Sequence, residues 1–138
     1  MPGLKDYRLF ISHSWSYSDA YARLCKLLDA APVFKYINYS IPKNDPVHTN
    51  GSNSALYNAI KDKMIFCNVI LIMAGVYSSY SNWIDKEIKI AKEVYGKPII
   101  GIEPWGSERT STMVRNNASI MVGWSTSSIV SAIREYSI

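Results

Sequence analysis

The sequence predicts an α/β fold, a doubly wound parallel sheet of about five strands with helices on both faces. Three features predict it. Short aliphatic runs without helical period recur along the chain, amphipathic stretches separate them, and Pro, Gly, Asn and Asp gather at the junctions. YRLFIS (Tyr7 to Ser12) is apolar and β-prone, the pattern of a buried strand. Ser16 and Asp19 form a capping-box-like pair, after which Tyr21, Leu24, Cys25 and Leu28 keep helical spacing. FKYINYS gives a second strand, and IPKNDPVHTNGSN is loop chemistry. A helix from about Ser54 to Phe66 turns Leu56, Ala59, Ile60 and Met64 inward. NVILIMAG is the clearest central strand, a continuous aliphatic run ended by Gly75. The next helix has Ser81 or Asn82 as N-cap and Gly96 as the C′ residue before Lys97-Pro98. PIIGIE is another buried strand. The stretch from Pro104 to Asn117 is loop that includes one short helical turn. SIMVG is the last strand, and Ser125 or Thr126 caps a final helix with Ile129, Val130, Ile133 and Tyr136 inward. Strands alternating with helices in this way give a flavodoxin-like arrangement.

Composition narrows the functional classes. The 138 residues are expected to form a single domain, residues 1–138. A hydrophobic share of 48% against 19% charged fits a globular chain and argues against disorder. The net charge of +4 comes from scattered Lys and Arg, without the basic stripe that nucleic acid or a membrane surface calls for. MPGLKDYR lacks the apolar core of a signal peptide, and no apolar run is long enough to span a bilayer, so a cytoplasmic location is expected. Cys25 and Cys67 each sit in an apolar pattern and read as buried free thiols. His13 and His48 lack ligand spacing, so no metal site is expected.

In open parallel sheets, ligands bind beyond the carboxyl ends of the strands where strand order reverses. That rule brings SHSWS (Ser12 to Ser16), the loop at 41–50 and VYSSYSNW (Val76 to Trp83) around one crevice. Ser12, His13, Ser14, Trp15, Asn44, Asp45, Ser78 and Trp83 are the substrate-binding candidates from these segments. Each also has a plain structural reading. His13 and Ser14 can satisfy backbone groups at a strand end, Trp83 can be a core or rim aromatic, Trp15 an ordinary surface aromatic, and Asn44-Asp45 before Pro46 suits an Asx turn. The dinucleotide fingerprint and the Walker phosphate loop are absent, as is the G-x-S-x-G nucleophile elbow.

One carboxylate breaks the pattern of its helix. With Trp83 at zero and about 100° per residue, Val94, Ala91, Ile84, Tyr95, Ile88 and Ile90 fall on one apolar arc. Asp85, Lys86, Lys89, Lys92 and Glu93 form the solvent face. Glu87 lands at about 40°, inside the apolar arc and one turn after Trp83. The wheel alone favours a structural carboxylate bonded to a loop N–H or an Arg. Its position just past the central strand also lets it face the crevice.

FISHSWSYSD, NYSIPKNDP, NVILIMAGVYSSYSNWIDKEI, GKPIIGIEPWG and ASIMVGWSTSSIV together resemble the TIR-like family that includes the Thoeris anti-phage TIR proteins. The resemblance spans nearly the whole chain in several ordered motifs. It implies a TIR fold and, for enzymatic members, cleavage of NAD at the nicotinamide–ribose bond. The hallmark W-x-x-x-E is matched by Trp83 and Glu87, which makes Glu87 the expected catalytic residue. Ile84 stands where several animal NAD-cleaving TIR enzymes have cysteine, a position with no required chemical role. The resemblance further implies NAD as substrate rather than cofactor, self-association through TIR–TIR contacts, and an ADP-ribose-derived, often cyclic signal read by a separate effector.

A single glutamate suits that chemistry. Glycosidases acting on alcohol leaving groups use two carboxylates, one of them an acid. Nicotinamide leaves a pyridinium as a neutral amine and needs no acid. The remaining oxocarbenium-like ribose can be stabilised or captured by one carboxylate. Two other readings stay open at the level of sequence. One is a non-catalytic TIR scaffold, which the pairing of Trp83 with Glu87 disfavours. The other is a nucleoside 2-deoxyribosyltransferase-like enzyme, which shares N-glycosidic chemistry and a glutamate.

Overall fold

A computed structural model of the chain describes residues 6–11, 20–31, 34–39, 53–73, 81–103 and 112–137. The backbone alone is described at 20–22, 53–56, 73, 81–84 and 112–113. The strands are β1 (Asp6–Ile11), β2 (Lys35–Asn38), β3 (Val69–Met73), β4 (Ile99–Ile102) and β5 (Ile120–Val122). The helices are α1 (Ala20–Asp29), α2 (Asn53–Met64), α3 (Ser81–Lys89), α4 (Thr112–Asn117) and α5 (Thr126–Tyr136). A π-helical turn, Ile90–Val94, continues α3.

The five strands form one sheet in the order β2-β1-β3-β4-β5. Every pairing is parallel, with Ile11 opposite Leu71, and Leu71 opposite Ile100. This is the flavodoxin-like order expected from alternating strands and helices. Side chains of a strand point alternately to the two faces, and both faces here are buried, which explains the unbroken aliphatic runs. Leu9, Ile11, Val69, Leu71, Ile100 and Ile102 pack against α1 and α5 through Leu24, Leu28, Ile129 and Ile133. Phe10, Ile70, Ile72 and Ile99 face the other way, onto Ile60 and Met64 of α2, Ile88 and Ala91 of the α3 segment, and Val114 of α4. The sheet is thus wound on both sides.

β4 has a glycine on its second face for a steric reason. A Cβ at Gly101 would collide with Met121 Sδ and would meet Val114 Cγ1 at 3.1 Å. α4 therefore lies close over the β4–β5 edge. α5 starts as expected, with the Ser125 hydroxyl accepting from Ser128 N at 3.2 Å. Tyr136 is only half-buried, although the helical spacing turns it inward. The expected capping box at Ser16 and Asp19, the loop at 41–52 and the strand end at Ala74-Gly75 lie outside the described residues, as do residues 104–111 of the loop expected from Pro104 to Asn117. The last six residues of that stretch form α4, a longer helix than the one short turn expected, with Val114 buried in the second core.

Candidate functional site

Strand order reverses beside β1. The chain passes from β1 to β2 on one side, then crosses to β3 on the other. β1 ends at Ile11 and β3 at Met73 on the same edge of the sheet, and α3 starts from that edge at Ser81. Ligands of such sheets occupy this position. Ser12, His13, Ser14, Trp15, Asn44, Asp45 and Ser78 lie outside the described residues. Trp83 is placed by its backbone in the first turns of α3, and its side chain is outside the description.

Glu87 is the candidate the structure places in full. It is 2% exposed, the only carboxylate among the buried residues described. Its Oε2 is shut off from solvent. Ile88 and Ala91 flank it in the second core, while Asp85 and Lys89 pair across the opposite face at 3.2 Å. Glu87 is six residues into α3, so it lies roughly 9 Å along the helix from the crevice edge. Burying a carboxylate costs folding free energy, and such costs concentrate at functional sites.

The wheel holds from Asp85 to Glu93 and fails at Val94. Val94, expected on the apolar arc, is 42% exposed. The π-helical turn is the reason: Tyr95 N donates to Ile90 O at 3.1 Å, five residues back rather than four. The extra residue moves Tyr95 into the inward place that Val94 would take in an α-helix. Gly96 then reverses the backbone at φ +61°, and Lys97 N closes onto Ala91 O at 2.7 Å. That is a Schellman-type ending widened by one residue. The expected C′ glycine is present, and the widening is what the sequence does not announce.

Sequence reasoning missed Tyr95 and Lys97 as contacts to another helix. Tyr95 Oη donates to Lys61 O at 3.0 Å, and Lys97 Nζ donates to Ile65 O at 2.7 Å. Lys61 O also accepts from Ile65 N at 3.2 Å, so the phenol shares that carbonyl with the helix, whereas Lys97 serves the Ile65 carbonyl just past the last turn of α2. The only sequence signal is the Gly-Lys-Pro run itself. Burial pushes the Tyr95 phenol up from its usual range, so it remains a donor in neutral solution.

Beside this ending, burial pushes the Cys67 thiol up to about 12, against the pull of Lys97, Arg8 and Lys63. Cys67 is 3% exposed and Cys25 is half-buried, both as free thiols. Below pH 9 the Cys67 thiol is protonated whether the chain is folded or unfolded. Between 9 and about 12 only the unfolded chain loses the proton, so this contribution to stability is lost as pH rises through that window. The expected result with a maleimide or iodoacetamide at pH 8 is labelling of Cys25 in the native protein and of Cys67 only after unfolding. Peptide mass mapping reads this directly, and equal native labelling of both would contradict the burial.

A groove of about 470 Å³ lies against α5, lined by Ala31, Thr126, Ser127, Val130, Ser131 and Arg134. It is on the α1/α5 side of the sheet, opposite the face that holds Glu87. It therefore takes no part in the chemistry considered for Glu87. Among the described residues no group of three or more His, Cys, Asp or Glu can hold a metal ion. No described helix is long and apolar enough to cross a membrane.

Residues 10–109 match the family described as the TIR-like domain of the Thoeris protein ThsB. The chain belongs to the Thoeris ThsB TIR-like family. That match includes the end of β1 and the whole of α3 and β4, and so contains Glu87 with its W-x-x-x-E context. No curated protein matches the sequence. Among solved structures, one likeness is to a protein of Burkholderia pseudomallei K96243 described as pilus assembly-related. It is 14% identical, with a TM-score of 0.52 over 99% of this chain and 92% of that one. At that identity the likeness bears on the fold. The Clostridium botulinum CMP N-glycosidase BcmB is also similar, at 13% identity and a TM-score of 0.44 over 94% of this chain and 99% of that one.

Proposed function

We propose that this TIR-like chain is an enzyme that cleaves the nicotinamide–ribose bond of NAD, with Glu87 as its catalytic residue. One observation carries the proposal: a glutamate shut into the core side of the helix that leaves the sheet at its switch point, in a chain of the ThsB TIR-like family. The C1′–N bond breaks heterolytically, and its electron pair returns the pyridinium ring to neutral nicotinamide. The ribose is left as an oxocarbenium-like cation, which the Glu87 carboxylate stabilises from a site poor in water. Water, or a nucleophile of the ADP-ribose itself held in place of water, takes the cation at C1′ and releases a proton. The second course gives a cyclic product. NAD is then substrate and no cofactor is required.

In the cell, the product is proposed to act as a signal to a separate effector in anti-phage defence. Self-association of TIR surfaces in the cytoplasm would complete the site, with the candidates from Ser12 to Trp15, Asn44, Asp45, Ser78 and Trp83 holding the substrate. The deciding experiment is mass spectrometry of NAD incubated with the wild-type protein and with Glu87→Ala, over a range of protein concentrations. Free nicotinamide with an ADP-ribose product from the wild type alone is the expected outcome, rising more steeply than protein concentration. Intact NAD at every concentration would leave a non-catalytic module as the reading.

A further inference from the structure

We infer that Tyr95 is a positioning residue for Glu87, and that the π-helical turn exists to place it there. The inference rests on the proposed role of Glu87, and its geometry stands independently of that role. In an α-helix running to the end of the segment, Val94 falls at about 20° and Tyr95 at about 120°, with Glu87 at about 40°. The π turn adds one residue between the two halves. Tyr95 therefore takes the place at about 20°, in line with Glu87, and Val94 rotates to the solvent place of Glu93. The observed exposures follow this shift: Val94 is 42% exposed, and Tyr95 packs onto the core shared by α2 and α3.

The exchange has a cost and a return in the structure. A valine side chain is given to water. In its place a phenol reaches α2 and donates to Lys61 O, with the Lys97 ammonium 5.1 Å from its ring centre. Valine has no donor to add to that carbonyl, which also accepts from Ile65 N at 3.2 Å, so what the phenol supplies is a directional bond between the two helices. α3 is thus tied to α2 at its far end along the same stripe that carries Glu87. Rolling α3 about its axis, the motion that would take Glu87 off its buried flank, has to break this tie. A packed apolar side chain alone offers no directional bond that such a roll must break.

Two single-residue deletions separate this assignment from a merely structural one. Deleting Val94 and deleting Tyr95 both remove the extra residue and both restore an α-helix. They differ only in which side chain is left in line with Glu87. Deletion of Val94 is expected to leave NAD turnover within about threefold of wild type and the α3 amides as protected as before. Deletion of Tyr95, and more mildly Tyr95→Phe, is expected to lower kcat about five- to tenfold with KM little changed. Hydrogen exchange at residues 85–89 should quicken by a similar factor in the same two variants. Equal damage from the two deletions, or unchanged kcat and exchange in both Tyr95 variants, would overturn the assignment. Should either deletion fail to fold, Tyr95→Phe against Val94→Ala makes the same comparison without changing chain length. If the wild type leaves NAD intact, the exchange measurements still decide whether Tyr95 ties α3 down, so the two failures are distinguishable.

Discussion

Glu87→Gln is expected to reduce NAD turnover by about a thousandfold while the chain stays folded. The magnitude follows from the setting of the carboxylate. A unit charge about 4 Å from a developing cation is worth roughly 4 kcal/mol at an effective dielectric of about 20, and about 1.4 kcal/mol is a factor of ten in rate. Glu87 is 2% exposed, so water screens it little. Glutamine keeps the shape and the polar atoms but loses the charge, which separates electrostatic stabilisation from packing. The thermal transition is expected to move by only a few degrees in either direction. A structural carboxylate predicts the reverse: a marked drop in the transition temperature, with unchanged turnover per folded molecule. Circular dichroism melting beside a nicotinamide-release assay reads both quantities, and a folded Gln variant working at the wild-type rate would falsify the catalytic role.

The legible parts of this chain are those decided by local pattern. β3 and β4 read as unbroken aliphatic runs because helices cover both faces of the sheet, and nothing distant changes that. Glu87 is legible as an oddity because the helix around it is regular. Its burial is what the wheel requires of a residue at about 40°, well inside the apolar arc. Val94 is not legible. A wheel assumes a constant angle per residue, and the π turn breaks that assumption, with Tyr95 meeting an α2 carbonyl 34 residues earlier in the chain. Asn68 shows the same limit at the start of β3. Its Oδ1 accepts from Arg8 N at 2.8 Å and its own N donates to Arg8 O at 2.7 Å, a latch to β1 that no spacing signals. The crevice candidates from Ser12 to Ser78 come from the rule that places ligands at a switch point, a statement about topology. The observed strand order supports that premise, and the individual side chains remain proposals.

Leu71→Ala is expected to cost about 3–5 kcal/mol of stability and to lower the thermal transition by roughly 10–20 °C. Leu71 is wholly buried at the centre of the central strand, opposite Ile11 on one side and Ile100 on the other. Its side chain fills the core under α1 and α5. The strands on both sides hold the surrounding backbone by their pairing, so the site has little freedom to collapse around the lost atoms. The cost should therefore lie toward the upper end for a leucine truncation. Val94→Ala removes apolar atoms from a residue already 42% in water and is expected to change stability by less than about 0.5 kcal/mol. Function should divide differently from stability. Leu71 faces the α1/α5 side, whereas Glu87 belongs to the helix layer on the opposite face. Well below its transition, Leu71→Ala should thus retain near-wild-type turnover per folded molecule, where the more stable Glu87→Gln has almost none. Guanidinium melts and initial rates at one temperature test the contrast. Loss of turnover in a fully folded Leu71→Ala sample would mean that the two faces of the sheet are coupled, and that the geometry at Glu87 depends on the core behind it.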